Sequence, residues 1–292
     1  MPAKQIRIAK SAGFCFGVKR AIELAEKIAG KNKKVYTFGP LIHNPQEVKR
    51  LDKEGIKVIE DYSKIKTGIL VLRTHGIEQE IHEKLSKKKN IEIMDATCPF
   101  VKRAQDIVKK LSCKSEQIII VGEKTHPEVI ALVSYGKGKC VVVEDTKDIK
   151  KIKKTDIIHI VSQTTQSPKH FNNIVEYISK ISKVKTYNTI CRATFDRQSS
   201  AEALAKEVDI MIVIGGKNSG NTRRLYQICS KVIKTYHIEN VEEIKKSWFD
   251  KKIMVGITAG ASAPNWIINN IKRRIEEILK LGRPENKQEK KK

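Results

Sequence analysis

An α/β fold is what this sequence predicts: three similar units with mainly parallel sheets. Three observations carry that expectation. One pattern, an apolar strand running to a cysteine and then directly into a helix, occurs three times: IRIAKSAGFCFGVKRAIELAEK around Cys15, IEIMDATCPFVKRAQDIVKK around Cys98 and VKTYNTICRATFDRQSSAEALAKE around Cys191. Fixed offsets follow each cysteine. Gly39, Gly122 and Gly215 lie 24 positions on, each closing an apolar strand, and His43, His126 and Ser219 lie 28 positions on. Strands also alternate with helical periodicity along the chain, which implies parallel sheets in each unit.

Ile6 to Ala9 reads as a short strand leading to the turn GFCFG, where Gly13 and Gly17 permit backbone that a side chain would obstruct. Val18, Ala21, Ile22, Ala25 and Ile28 recur at helical spacing, so Cys15 sits just before a helix N-terminus. VYTFGPLIHNPQEV is strand, turn and helix start, and GIKVIED and ILVLRTHG are further strands.

The second unit repeats this with Pro99 at the first helical position after Cys98, then IIIVG, the junction EKTHPEV, CVVVED and IHIVSQTT. The third gives IMIVIGGKNSGNTRRL, TYHIE and IMVGITAGAS before a final helix from about Pro264 to Leu281. The expected units are 16–97, 98–190 and 191–281, with residues 1–15 packed against the last. The tail 282–292 is charged and lacks an apolar pattern, so it is expected to be disordered.

A chain of 292 residues with 40% hydrophobic side chains can bury a substantial core. The opening MPAKQIRIAK lacks the apolar run of a signal peptide, and no apolar run approaches the ~20 residues of a membrane span, so a soluble, cytoplasmic protein is expected. Six cysteines in a reducing compartment point to metal binding or burial rather than disulfides, and without any CxxC a metal site must draw on distant segments. The net charge of +25 invites a nucleic-acid reading, but the lysines spread along helix faces and only 5% of residues are aromatic. A solvated basic surface that attracts a small anion accounts for it as well.

The polar residues of the repeat fall after a strand and before a helix, where open parallel sheets bind ligands. Three thiolates, Cys15, Cys98 and Cys191, could hold a zinc ion with one open position or a four-iron four-sulfur cluster with one iron lacking a protein ligand. Cys113, Cys140 and Cys229 have no equivalents in the other units and read as structural, as do His82, His159, His170 and His237. His43, His75, His126, Thr164, Ser219, Asn221 and Ser262 offer many hydrogen bonds and little negative charge, which suits a diphosphate. Glu128, two positions past His126, could relay protons. Two rival readings remain at this level: a zinc-dependent hydrolase of a phosphorylated substrate, and a basic nucleic-acid-binding protein.

The segments GFCFGV, LIHNPQEV, RTHG, DATCPFV, THPEV, SQTTQS, CRATFDRQ, GGKNSGNTRRL and TAGASAP together resemble the 4-hydroxy-3-methylbut-2-enyl diphosphate reductases of the non-mevalonate isoprenoid route. The resemblance runs in order from Ile6 to about Leu281. It implies an iron-sulfur oxidoreductase whose three α/β units are arranged as a pseudo-threefold trefoil around a central cavity, with one four-iron four-sulfur cluster per chain, fed with electrons by an external donor such as ferredoxin or flavodoxin. It would remove the allylic hydroxyl and yield isopentenyl diphosphate and dimethylallyl diphosphate, with no role for membrane or nucleic acid. By the same resemblance Cys15, Cys98 and Cys191 are cluster ligands, and His43, His75, His126, Ser219, Asn221 and Ser262 bind the diphosphate. Glu128 resembles the proton donor and Thr164 the residue that orients the substrate hydroxyl, with His126 beside them. One departure is Gly220, where some members carry a second serine; the backbone N–H remains there to bind substrate while a side-chain donor is lost.

Overall fold

The structure, a computed structural model, describes residues 6–30, 34–114, 117–217, 219–249 and 253–281. The charged tail 282–292 lies outside the described residues. The chain begins β1 (Ile6–Ile8), α1 (Phe16–Ala29), β2 (Val35–Phe38), α2 (Pro45–Lys53), β3 (Ile56–Ile59), β4 (Gly68–Leu72), α3 (Gln79–Ser86) and β5 (Ile91–Asp95). It continues α4 (Pro99–Ser112), β6 (Ile118–Val121), α5 (Pro127–Tyr135), β7 (Cys140–Val143), β8 (Ile157–Ser162), α6 (Pro168–Ser179) and β9 (Lys183–Tyr187). The last third is α7 (Arg192–Ala205), β10 (Ile210–Ile214), α8 (Gly220–Ser230), β11 (Thr235–Ile238), β12 (Val255–Ala259) and α9 (Asn265–Leu281). These strands form three four-stranded sheets in which every pairing is parallel.

Two compact units result, one of Phe16–Phe195 and one of the described residues up to Cys15 together with those from Asp196 on. The Phe16–Phe195 unit carries two sheets of the same topology, β3-β2-β4-β5 and β7-β6-β8-β9. Strand β6 is buried on both faces, as a parallel sheet covered by helices requires. Because strand side chains alternate, Ile118 and Ile120 meet Ala104, Val108 and Leu111 of α4 and Val129 and Leu132 of α5. Ile119 and Val121 face the other way, onto Phe171, Ile174 and Ile178 of α6. Each such side chain contributes roughly 1.5–3 kcal/mol by leaving water.

The other unit holds one sheet, β1-β12-β10-β11, in which the first strand of the chain pairs with one of the last, Ile6 opposite Val255. Ile210, Ile212 and Ile214 pack under the Ile267, Ile271 and Ile275 face of α9. Met211 and Val213 face Ala201 and Leu204 of α7 and Leu225 of α8. The segment leading to Cys15 is tied to this unit: the Ala9 N–H donates to the Ile257 carbonyl at 2.8 Å, and Arg197 Nη2 donates to the Gly13 carbonyl at 2.8 Å. Among the described residues no helix is long and apolar enough to cross a membrane.

Candidate active site

Each repeated cysteine leaves the carboxyl end of an edge strand, and its backbone N–H is fixed to the loop that follows another strand of the same sheet. Cys98 N–H donates to the Thr74 carbonyl at 3.0 Å, Cys191 N–H to the Thr164 carbonyl at 2.8 Å and Cys15 N–H to the Ala261 carbonyl at 3.4 Å. Those acceptors are, or directly precede, His75, Thr164 and Ser262. Thiol and polar side chain are thereby held at one sheet edge in all three sheets.

None of the three cysteines is in a disulfide, and each is half-buried. Cys98 is the N-cap of α4, yet its sulfur accepts no capping hydrogen bond. A methyl group on Gly17 would come within 2.5 Å of Cys98 Sγ, so glycine there keeps space for the sulfur. The remaining cysteines differ. Burial pushes the Cys140 thiol up to about 12 and, with the Glu202 charge, the Cys229 thiol up to about 11, which keeps them protonated and poor as ligands. Cys113 is exposed at the C-cap of α4, so burial does not describe it.

Three histidines converge within Phe16–Phe195. His43 follows β2, His75 follows β4 and His126 is the N-cap of α5. Their ring centroids lie 4.5 Å (His43 and His75), 5.4 Å (His75 and His126) and 6.2 Å (His43 and His126) apart. One ring nitrogen from each falls within 4.8 Å of the others, close enough to consider a metal ion. The hydrogen bonding argues for an anion instead. His126 Nδ1 accepts the Glu128 N–H at 3.2 Å, so the neutral ring carries its proton on Nε2 and presents a donor.

Burial is the first cause that lowers the pKa of all three rings, His126 to about 4, and the Arg73 guanidinium adds to it. The trio is therefore neutral near pH 7. His75 Nδ1 is buried without a hydrogen-bond partner.

Beside them lies a fully buried acid. Glu128, at 1% exposure, accepts the Thr164 N–H on Oε1 at 2.6 Å and the Thr164 hydroxyl on Oε2 at 2.8 Å. Burial raises its pKa to about 7, while the two Thr164 hydrogen bonds pull the other way; desolvation wins.

Ser219, Gly220, Asn221 and Ser262 belong to the other unit, with Cys15. Ser219 is the N-cap of α8 and its Oγ accepts the Thr222 N–H at 3.4 Å. Gly220 and Asn221 form the first turn of α8, a helix N-terminus of the kind that can receive an anion. Both ends of the Asn221 amide are buried without a partner. Ser262 follows β12 and is buried.

Sequence reasoning missed three cations at these loops. Lys124 and Lys217, each 26 positions past a cysteine, staple the loops that lead to His126 and Ser219. The Lys124 N–H donates to Glu144 and its Nζ to Asp148; the Lys217 N–H donates to Glu239 and its Nζ to Glu243. The matching offset was the available signal. Arg73 is the third and had none.

Comparison with known proteins places this geometry in context. The LytB protein family model matches residues 6–276. A protein of Pelobacter propionicus named 4-hydroxy-3-methylbut-2-enyl diphosphate reductase is 46% identical over 279 residues, covering 94% of this chain and 99% of that protein. Its namesake in Aquifex aeolicus is 48% identical, over 94% and 96%. A solved structure described as (E)-4-hydroxy-3-methyl-but-2-enyl diphosphate reductase, the terminal enzyme of the non-mevalonate pathway, aligns with a TM-score of 0.73 at 48% identity, over 93% of this chain and 99% of that one. A Plasmodium falciparum reductase structure aligns at 0.84 with 28% identity, over 92% and 86%.

Proposed function

The chain belongs to the LytB family, and from that premise we propose that it reductively dehydroxylates (E)-4-hydroxy-3-methylbut-2-enyl diphosphate to isopentenyl and dimethylallyl diphosphate. The observation that carries the reading is a buried, protonatable Glu128 joined to Thr164 and set two positions past His126 of the neutral histidine trio, at the start of the same helix. The reaction breaks the allylic C–O bond. Two electrons and two protons enter, the hydroxyl leaves as water, and one hydrogen ends on carbon.

Cys15, Cys98 and Cys191 would hold a four-iron four-sulfur cluster. Half-buried cysteines outside any disulfide and the space that Gly17 leaves at the Cys98 sulfur fit such a group. When bound, a cluster of this kind supplies the electrons and a Lewis-acidic iron. The protein supplies the rest. His43, His75 and the Nε2–H of His126, with Ser219, the Gly220 and Asn221 amides and Ser262, hold and orient the diphosphate. Glu128, half-protonated near pH 7, keeps a proton at its carboxyl oxygens. The Thr164 hydroxyl, 2.8 Å away, can accept that proton while passing its own to the departing oxygen.

Electrons enter from outside the chain, and an acidic one-electron carrier such as ferredoxin or flavodoxin suits a chain of net charge +25 in the cytoplasm. The test is anaerobic turnover with a reduced one-electron dye: two dye molecules oxidised per substrate and a coloured protein support the reading. A colourless protein that releases phosphate without consuming dye would replace it with the hydrolase.

A further inference from the structure

Three neutral imidazoles make a poor counterweight to the negative charges of a diphosphate, and a cation near them stands out. Arg73 directly follows β4, two residues before His75. Its Nε donates to the Gly76 carbonyl at 3.2 Å. Its Nη1 lies 3.0 Å from the position that a side chain on Gly39 would take, and Gly39, at φ +67°, opens the turn that leads to His43. The guanidinium is thus wedged between the two turns that carry His43 and His75.

No carboxylate lies within ion-pair distance of Arg73 among the described residues; Glu78 and Glu60 act on it only at longer range. Its terminal nitrogens make no hydrogen bond to the protein there. A partly desolvated guanidinium without a carboxylate partner is unfavourable and is relieved by an anion.

We infer that Arg73 is the charged anchor of the diphosphate subsite, its terminal nitrogens meeting the phosphate oxygens that the histidines orient. This rests on the proposed diphosphate role of the histidine trio. Gly39 is then explained as the residue that leaves room for the guanidinium, and the Gly76 carbonyl as the group that aims it. Neutral histidines give direction and Arg73 gives charge, so neither class of donor replaces the other.

The experiment is calorimetric titration of the anaerobic holoenzyme with inorganic diphosphate. Arg73→Met is expected to weaken binding roughly 30- to 100-fold and to flatten its salt dependence. Arg73→Lys is expected to recover part of the affinity, because charge returns without the planar fork. Lys27→Met, the same charge change on an exposed turn of α1, is expected to stay within about twofold.

Binding by folded Arg73→Met within about threefold of wild type overturns the inference. If that variant does not fold, Arg73→Gln decides by the same criterion. His126→Ala separates the levels. Should it leave diphosphate affinity unchanged, the subsite reading itself falls. Should it weaken binding while the Arg73 variants do not, the inference about Arg73 alone is wrong.

Discussion

Thr164 gives both of its polar hydrogens to one acid, Glu128, through the backbone N–H to Oε1 at 2.6 Å and the hydroxyl to Oε2 at 2.8 Å. Neither bond outweighs burial, and the acid titrates near 7 in the folded chain against 4.5 as a free side chain. Between those values the folded state holds a proton that the unfolded state has released. Stability is therefore fully present below about pH 4.5 and is lost as pH rises through 7, by roughly 3 kcal/mol. Glu128→Gln removes that loss. Its melting temperature is expected to exceed wild type at pH 8.5 and to converge with it near pH 4.5, as scanning calorimetry can show. Turnover of the same variant is expected to fall at least about 100-fold.

Thr164→Val keeps the N–H donor and deletes the hydroxyl. Losing a group that favours the carboxylate moves the Glu128 titration to higher pH. The alkaline limb of the turnover profile is expected to shift the same way, with the maximum rate lower by about tenfold or more, because the hydroxyl is also the proposed proton path to the substrate. An unshifted limb would separate that limb from Glu128.

The histidines carry the opposite sign. Burial lowers His43, His75 and His126 below 6.5, His126 to about 4, so their contribution is present above 6.5 and lost as pH falls toward the folded values. His126→Asn is expected to lose less stability than wild type between pH 6.5 and 4, a difference of up to roughly 3 kcal/mol in denaturant titrations. Inorganic diphosphate, by binding the folded state, should raise the wild-type midpoint across the range.

Gly17→Ala puts a carbon 2.5 Å from the Cys98 sulfur, a contact that must be relieved by moving the sulfur or the helix. The chain is expected to fold with about 1–3 kcal/mol less stability and to bind less iron per molecule. Cys113→Ala, at an exposed helix end, should leave iron content unchanged; equal iron in Gly17→Ala and wild type would show that the sulfur position is not critical.

Much of this was legible because the repeat writes it three times. A glycine 24 positions and a polar residue 28 positions past each cysteine mark strand ends, and strand ends are what a parallel sheet aligns. The offset alone does not say why each glycine is required. Gly39 needs its positive φ, whereas Gly122 needs room, since a side chain there would press on Gln163 and Val129 at 2.8 Å. His75, Thr164 and Ser262 lie at unequal distances past their cysteines because the connections between strands differ in length, so the family resemblance named their roles. Arg73 was not legible: an arginine closing a strand looks like a surface cation until the fold shows the two turns around it. The offset marks Lys124 and Lys217 but not what they hold, because their acidic partners lie just past the end of the next strand.

The pairing of β1 with β12 also bears on how the molecule is made. Ile8 and the partner strand's first residue, Val255, are 247 positions apart, a separation that synthesis at roughly 5–20 residues per second covers in about 12–50 s. Throughout that interval the earliest-made strand leaves the ribosome with no sheet to join. Two sheets can close behind it while Cys15 waits. Any inorganic centre that draws on Cys15 is thus a late addition, and a chain truncated by a stop codon before β12 cannot be rescued by supplying iron.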